Sequence, residues 1–179
     1  MKKEHIPNAL TLGRILVIPV FILVLSVWNS LASHMLAAVL FALASLTDYL
    51  DGYLARKWQV VTNFGKFADP MADKILVMTA FIMLVELGFA PAWIVAIIIC
   101  RELAVTGLRL LLVENGGTVL AAAMPGKIKT FSQMFAIIFL LLHWQLLGTI
   151  TLYIALFFTL YSGYDYFKGA SYLFKDTFK

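Results

Sequence analysis

Apolar residues dominate this chain, and the placement of its few charges constrains the fold more than any other feature. Hydrophobic residues make up 62% of the 179 residues, whereas charged residues make up only 13%. Soluble domains contain about 45–50% apolar and about 25% charged residues. The composition therefore predicts an integral membrane protein, and the absence of repeats or low-complexity blocks predicts one domain over residues 1–179.

Breaks in the apolar pattern predict an all-α protein of six helices. These are residues 8–28, 31–58, 67–87, 93–113, 127–144 and 148–167. Several apolar runs within them fall short of the roughly 20 residues that a spanning helix needs, so buried helices of a soluble protein are the alternative.

The positions of the basic residues favour the membrane. None of the 14 Lys and Arg residues lies in the connections near residues 29–33, 87–92 and 144–148. This is the positive-inside pattern. It predicts six transmembrane helices in the cell membrane, with both termini cytoplasmic and a polar cavity open to the cytoplasmic side.

Four carboxylates lie close together around the predicted second and third helices. Asp48 and Asp51 are spaced i, i+3, and Asp69 and Asp73 are spaced i, i+4, so each pair shares a helical face. Such a cluster needs counter-charge, and oxygen ligands without Cys or a nearby His suit Mg²⁺, Mn²⁺ or Ca²⁺. The alternatives are surface acids paired with nearby basic residues and, for Asp69-Pro70, an ordinary helix start.

The spacing of this acidic stretch resembles the motif of a known enzyme family. It reads Asp48-x2-Asp51-Gly52-x2-Ala55-Arg56-x8-Gly65-x3-Asp69-x3-Asp73. The pattern resembles the CDP-alcohol phosphotransferase motif at every position, and the six-helix topology extends the resemblance over essentially the whole chain. The flanking residues are most similar to the branch of the family that uses glycerol-3-phosphate; they are Pro7-Asn8-x-Leu10-Thr11-x2-Arg14, Thr47 and Lys66-x2-Asp69-Pro70-x-Ala72-Asp73-Lys74.

The resemblance implies an enzyme that transfers the phosphatidyl group of CDP-diacylglycerol to the 1-hydroxyl of sn-glycerol-3-phosphate and releases CMP. Two divalent cations, Mg²⁺ or Mn²⁺, would be held by Asp48, Asp51, Asp69 and Asp73. Asp69 and Asp73 would be catalytic, with Asp73 as the general base. The residues expected to bind CDP-diacylglycerol are Asn8, Thr11, Thr47, Gly52, Ala55, Arg56, Gly65 and Lys66. The resemblance also implies a homodimer among membrane lipids, and we expect no nucleic-acid partner.

The phosphate of such an acceptor needs a basic pocket of its own. Arg101 and Arg109 on the fourth helix, with Lys127 and Lys129 at the start of the fifth, are the candidates for binding glycerol-3-phosphate. Ionisable groups inside spanning helices cost about 2.5–3.5 kcal/mol each to insert and usually mark a site. The alternative role of these cations is to anchor the chain to anionic lipid headgroups.

Two other functions remain open at this point. Within the enzyme class, the acceptor could be serine, inositol or its phosphate, or a phosphatidylglycerol, but a neutral acceptor would not need all four basic residues. Outside it, a divalent-cation or proton transporter would also carry buried acids. A transporter needs charged groups that are accessible from both sides of the membrane. The outer half of this chain has almost no charged residues, and Glu86 near the outer end of the third helix is the exception.

Overall fold

The chain folds into a bundle of α-helices in the computed structural model. The structure describes residues 5–58, 63–114 and 124–169, and within them the side chains of residues 12–47, 71–112 and 124–169. These described residues form six helices and no strands, which confirms the predicted all-α fold. The helices are α1 (His5–Val27), α2 (Leu31–Trp58), α3 (Asn63–Glu86), α4 (Ala92–Glu114), α5 (Met124–Leu141) and α6 (Gln145–Gly169).

The third helix begins earlier than the sequence predicts. It starts at Asn63 rather than at Phe67, so Asp69 and Pro70 lie inside the helix. The interpretation of Asp69-Pro70 as a helix start is therefore wrong. Gly and Pro are the weakest helix formers, and Gly65 and Pro70 obscured the first turns of α3 in the sequence pattern.

The turn between α3 and α4 is closed by a glycine, as its sequence predicts. Gly88 has a φ of 74°, a left-handed conformation that glycine adopts without steric cost. The Phe89 amide donates to the Leu84 carbonyl at 2.8 Å, and the Gly88 amide donates to the Val85 carbonyl at 3.0 Å. This pair of bonds is the Schellman motif, which ends the helix and reverses the chain.

The turn between α5 and α6 uses the same motif with a histidine in place of glycine. His143 has a φ of 61°, and the Trp144 amide donates to the Phe139 carbonyl at 2.8 Å. A non-glycine residue in this conformation costs about 1–2 kcal/mol. The His143 ring offsets part of that cost, because its Nε2 lies 2.8 Å from Nδ1 of His34 on α2. The turn lies earlier than predicted because the sequence offers no glycine to mark it.

Apolar packing fills the half of the bundle near these turns. Side chains from all six helices are buried there, and they include Phe21, Phe41, Phe81, Ile94, Ile137 and Leu152. The most extensive helix contact joins α5 to α6, and α5 also packs against α2 and α3. A smaller cluster of Val105, Leu108, Leu112 and Tyr166 joins α4 to α6 at the opposite end. The region between the two clusters is left for polar side chains.

Among the described residues, one helix is both long and apolar enough to cross a membrane by length and composition. It is Gln145–Gly169, and two shorter apolar stretches are Leu12–Val27 and Leu31–Thr47. The prediction of six transmembrane helices is therefore neither confirmed nor contradicted by this criterion.

Close contact between α5 and α6 depends on a glycine, which gives a first prediction. A Cβ added at Gly148 would lie 2.6 Å from Cδ2 of Leu140 and 3.1 Å from its backbone nitrogen. Leu140 is fully buried and has no room to move. We expect Gly148→Ala to lower the free energy of unfolding by about 1–3 kcal/mol, as overpacking does, measured by thermal unfolding in detergent.

Gly107 provides the matched control, because a Cβ there would meet nothing within 4 Å. Gly107→Ala should leave the melting temperature unchanged or raise it, since alanine favours helix more than glycine by about 1 kcal/mol. Equal melting temperatures for the two variants would contradict the proposed α5–α6 packing.

Candidate active site

A cavity of about 190 Å³ with several charged groups in its lining lies between α3, α4, α5 and α6. Its lining residues come from the half of the bundle away from the His34–His143 contact, where α4 and α6 approach their C-terminal ends and α5 begins. The charged and polar residues that line it are Asp73, Lys74, Arg101, Glu102, Arg109, Lys129, Thr130, Gln133 and Tyr166. An otherwise apolar bundle thus gathers most of its described charges around one space.

Glu102 is the central anion of this cavity. Its Oε1 accepts a hydrogen bond from Nη1 of Arg101 at 3.0 Å, and the Lys129 ammonium binds the same oxygen. The exposed fraction of the side chain is 12% for Glu102 and 9% for each cation. Buried ions need a partner of opposite charge, so one carboxylate on α4 holds cations from both α4 and α5.

Helix α6 supplies partners to both arginines. Nη2 of Arg101 donates to the Ser162 hydroxyl at 2.8 Å, and Nη2 of Arg109 donates to the Tyr166 hydroxyl. The Tyr166 ring lies 4.7 Å from the Arg109 guanidinium carbon and 5.9 Å from that of Arg101. These distances fall within the range of cation–π contacts, so one aromatic ring contacts both guanidinium groups.

Lys74, in the middle of α3, connects this helix to the network. Its ammonium donates to the Thr106 hydroxyl, and that hydroxyl donates to the Glu102 carbonyl at 2.6 Å. Lys74 is therefore oriented by α4 on the same side of the bundle as its neighbour Asp73, and both line the cavity.

Positive charge exceeds negative charge among the described residues that line the cavity. The cations are Lys74, Arg101, Arg109 and Lys129, and the carboxylates are Asp73 and Glu102. A concave surface with an excess of cations attracts anionic ligands. Asp73 adds a carboxylate that could accept a proton from a ligand bound beside these cations.

The structure brings together three of the four residues predicted to bind glycerol-3-phosphate. Arg101, Arg109 and Lys129 line one cavity with Asp73. Lys127 is exposed and is not among the lining residues. The arrangement establishes their proximity, and their roles toward a ligand stay predictions.

Most of the predicted metal and donor sites lie outside the described side chains. These residues are Asn8, Thr11, Asp48, Asp51, Gly52, Ala55, Arg56, Gly65, Lys66 and Asp69. Their backbone is helical in α1, α2 and α3, so each aspartate pair keeps the spacing of a shared helical face. Within the described ranges, no group of three or more His, Cys, Asp or Glu could hold a metal ion. Thr47 is predicted to contact CDP-diacylglycerol, and in the structure its hydroxyl donates a hydrogen bond to the Ala44 carbonyl at 2.8 Å.

Several residues of the cavity were not predicted as site residues. The sequence shows Glu102 as a charge next to Arg101, but only the fold shows that it binds Lys129. Ser162 and Tyr166 are spaced i, i+4 with Gly163 between them, which places polar groups on one face of an apolar helix. That spacing was the sequence signal that could have indicated a contribution of α6 to the site.

The helical fold and the basic cavity beside Asp73 fit an enzyme that acts on phosphorylated substrates. The chain belongs to the CDP-alcohol phosphatidyltransferase family, whose profile matches residues 4–161. This confirms the family resemblance inferred from the acidic motif.

Named relatives agree on a more particular activity. A Bacillus subtilis protein named CDP-diacylglycerol–glycerol-3-phosphate 3-phosphatidyltransferase is 48% identical, with 92% of this chain and 94% of the relative aligned. A Rickettsia felis protein of the same name is 44% identical over 93% of this chain and 95% of its own length. A Mycobacterium tuberculosis protein named probable phosphatidylglycerophosphate synthase is 40% identical, with coverages of 93% and 81%.

The central position of Glu102 gives a second prediction. Replacing Glu102 with Gln keeps the shape of the side chain but leaves Arg101 and Lys129 without their buried counter-ion. Breaking a buried ion pair in this way costs roughly 3–5 kcal/mol. We expect Glu102→Gln to unfold at a clearly lower temperature than the unmodified protein in detergent.

Glu86→Gln is the matched control, because Glu86 is an exposed acid at the end of α3. Its melting temperature should stay close to that of the unmodified protein. A Glu102→Gln protein as stable as this control would show that the carboxylate does not hold the two cations.

Proposed function

We propose that this chain transfers the phosphatidyl group of CDP-diacylglycerol to the 1-hydroxyl of sn-glycerol-3-phosphate, giving phosphatidylglycerophosphate and CMP. Relatives named for this reaction are 44–48% identical over more than nine-tenths of the chain. The structural observation that carries the proposal is the cavity in which Asp73 lies beside four cations. Such a cavity suits an acceptor that combines a phosphate with a hydroxyl group.

The cations of the cavity would bind the acceptor phosphate. Arg101, Arg109 and Lys129 come from two helices and surround one space, and charge-assisted hydrogen bonds to phosphate are about twice as strong as neutral ones. Lys127, exposed near the start of α5, would attract the anion from outside the cavity. A neutral acceptor such as serine would leave this excess of positive charge without a function.

Asp73 would act as the general base in a single displacement. It would accept the proton of the 1-hydroxyl as that oxygen attacks the β-phosphorus of CDP-diacylglycerol. The new P–O bond forms while the bond between the β-phosphorus and the bridging oxygen breaks, and this oxygen leaves with CMP. Positioning and charge then account for most of the catalysis, as in other phosphoryl transfers.

The four aspartates of the motif would hold two divalent cations, Mg²⁺ or Mn²⁺. Asp48, Asp51, Asp69 and Asp73 form an all-oxygen donor set, which these hard ions prefer. When bound, the ions would supply charge neutralisation for the diphosphate and for the departing CMP. The helical backbone of α2 and α3 through these positions is compatible with such a set.

Residues around the same motif would bind the lipid donor. Gly52 and Ala55 on α2 would leave room for the nucleotide, because neither carries a large side chain. The other donor contacts would come from Asn8, Thr11, Thr47, Arg56, Gly65 and Lys66, as in the family. Arg56 would bind the phosphates of the donor through two parallel hydrogen bonds.

A multi-pass location in the cell membrane is part of the proposal. Large apolar side chains are exposed on the outer surfaces of several helices, including Leu16 on α1, Val39 on α2, Leu110 on α4 and Phe157 on α6. Exposed apolar surface on this scale is typical of contact with lipid or with another copy of the chain. We propose six transmembrane helices, cytoplasmic termini, a cavity open to the cytoplasm and a homodimer.

The choice of acceptor gives a third prediction. The purified protein, supplied with CDP-diacylglycerol and Mg²⁺ or Mn²⁺, should release CMP with glycerol-3-phosphate at a rate at least about tenfold above that with serine, inositol, inositol phosphate or phosphatidylglycerol. The measurement is CMP release with each acceptor in turn. Faster release with another acceptor would overturn the acceptor assignment. Absence of release with all of them, with metal transport into vesicles, would favour the transporter.

The role of Asp73 gives a fourth prediction. Asp73→Asn removes the base and should lower kcat by about 10²–10⁴-fold, the usual contribution of general base catalysis. The matched control is Asp165→Asn, because Asp165 is an exposed acid on α6. Its kcat should equal that of the unmodified protein. Normal turnover by Asp73→Asn would show that another group accepts the proton.

A further inference from the structure

Both arginines of the cavity extend from α4 toward α6. They are eight residues apart on α4, which is about two turns and a similar side of the helix. Nη1 of Arg101 donates to Glu102 and its Nη2 donates to Ser162. Two terminal nitrogens are thus held by two acceptors on different helices, so the plane of this guanidinium is defined by α4 and α6 together.

Gly163 makes room for the Arg101 side chain. A Cβ added at Gly163 would lie 3.2 Å from Cγ and 3.3 Å from Nε of Arg101. These distances are below ordinary van der Waals contact, so a methyl group would displace the arginine by a few tenths of an ångström. Because Arg101 is held at both terminal nitrogens, such a displacement would disturb its hydrogen bonds.

Tyr166 holds the second arginine by two contacts. Its hydroxyl accepts a hydrogen bond from Nη2 of Arg109, and its ring lies under the guanidinium at 4.7 Å. The ring is anchored in turn by apolar contacts in the cluster of Val105, Leu108 and Leu112. Tyr166 therefore connects the packing of α4 and α6 to the orientation of Arg109.

Each arginine keeps one buried donor without a protein partner. Nε of Arg101 and Nε of Arg109 are buried and form no hydrogen bond in the structure. Buried donors are almost always satisfied in folded proteins, and both residues line the cavity. Nε of Arg101 lies against Gly163 of α6, so the terminal nitrogens hold this side chain in place. The lining of the cavity carries four cations and two carboxylates, and this excess of positive charge suits an oxyanion.

We propose that Ser162, Gly163 and Tyr166 of α6 are positioning residues that orient Arg101 and Arg109 toward the phosphate of the acceptor. The inference rests on the proposed function, because it assigns the acceptor phosphate to these arginines. It adds that a hydroxyl, a glycine and an aromatic ring of α6 determine affinity for a phosphorylated acceptor through the two arginines that they orient. The alternative is that the three residues only pack α6 against α4.

The test measures KM for each substrate separately in the full-length protein in detergent. Tyr166→Phe keeps the ring and removes the hydroxyl. It should raise KM for glycerol-3-phosphate about 5- to 10-fold, the loss expected for one typical hydrogen bond. The KM for CDP-diacylglycerol and kcat should change by less than about twofold, because the donor site and the base remain intact.

Gly163→Ala should raise KM for glycerol-3-phosphate by a similar factor of about 5 to 10. Gly107→Ala on α4 is its matched control, because a Cβ there meets nothing within 4 Å, and its kinetic constants should not change. Ser162→Ala should behave like Gly163→Ala, whereas Ser162→Thr should restore a low KM because it keeps the hydroxyl.

A double-mutant comparison separates positioning from packing. In an Arg109→Ala background, Tyr166→Phe should add no further increase in KM for glycerol-3-phosphate, because the hydroxyl then has no guanidinium to orient. Additive effects of the two substitutions would overturn the inference. Equal increases in KM for both substrates, or no increase in the α6 variants, would do the same.

Arg101→Ala and Arg109→Ala distinguish this failure from failure of the proposed function. Each should raise KM for glycerol-3-phosphate by about 10- to 100-fold. If both leave that KM unchanged, the phosphate assignment of the proposed function is wrong, and the inference fails with it. If both raise it while the α6 variants do not, the proposed function stands and only the inference is overturned.

Discussion

Two cations from different helices share one carboxylate oxygen in the charged half of this bundle. Arg101 and Lys129 both bind Oε1 of Glu102, and all three side chains are nearly buried. In a chain with so few charged residues, uncompensated cations in the interior would be very costly. The rest of the site depends on this pairing, because it allows four cations to surround one cavity while only part of their charge is neutralised.

The apolar core and the charged cavity lie in different halves of the bundle. Near the turns after α3 and α5, apolar side chains from all six helices form the main core, and the His34–His143 contact joins α2 to the α5–α6 turn. Toward the other end, α3, α4, α5 and α6 surround a cavity of about 190 Å³. Apolar packing is therefore concentrated away from most of the charged groups, which are held by ion pairs and hydrogen bonds instead.

Helix α6 links these two halves. At its start, Gly148 allows close approach to Leu140 on α5, and toward its end Ser162 and Tyr166 contact the arginines of α4. The same helix therefore contacts α5 closely at its start and α4 through polar groups toward its end. This geometry explains how an apolar helix with one small and two polar residues on a face contributes to an ionic site.

The sequence predicted the order of the helices and the family well, because apolar periodicity and the spacing of acids are local properties of the chain. It placed the start of α3 too late, since Gly65 and Pro70 have low helix propensity that the surrounding helix overrides. It also misplaced the α5–α6 turn, because His143 occupies a conformation that glycine usually marks. Arg101, Arg109 and Lys129 were grouped correctly by predicted topology, but their partners were not predicted, since hydrogen bonds between helices leave no periodic signal.

The amino-acid sequence by itself predicted an all-α chain and contained the aspartate motif of its family. It also predicted that the charged residues lie mostly at one end of each helix, on the same side of the bundle. Those features follow from composition and from intervals of three, four or eight residues. The pairing of Glu102 with Lys129, 27 positions apart, and of Arg109 with Tyr166, 57 positions apart, arose only when the helices packed. Contacts at such distances along the chain depend on crossing angles and side-chain volumes, which are properties of the assembled bundle.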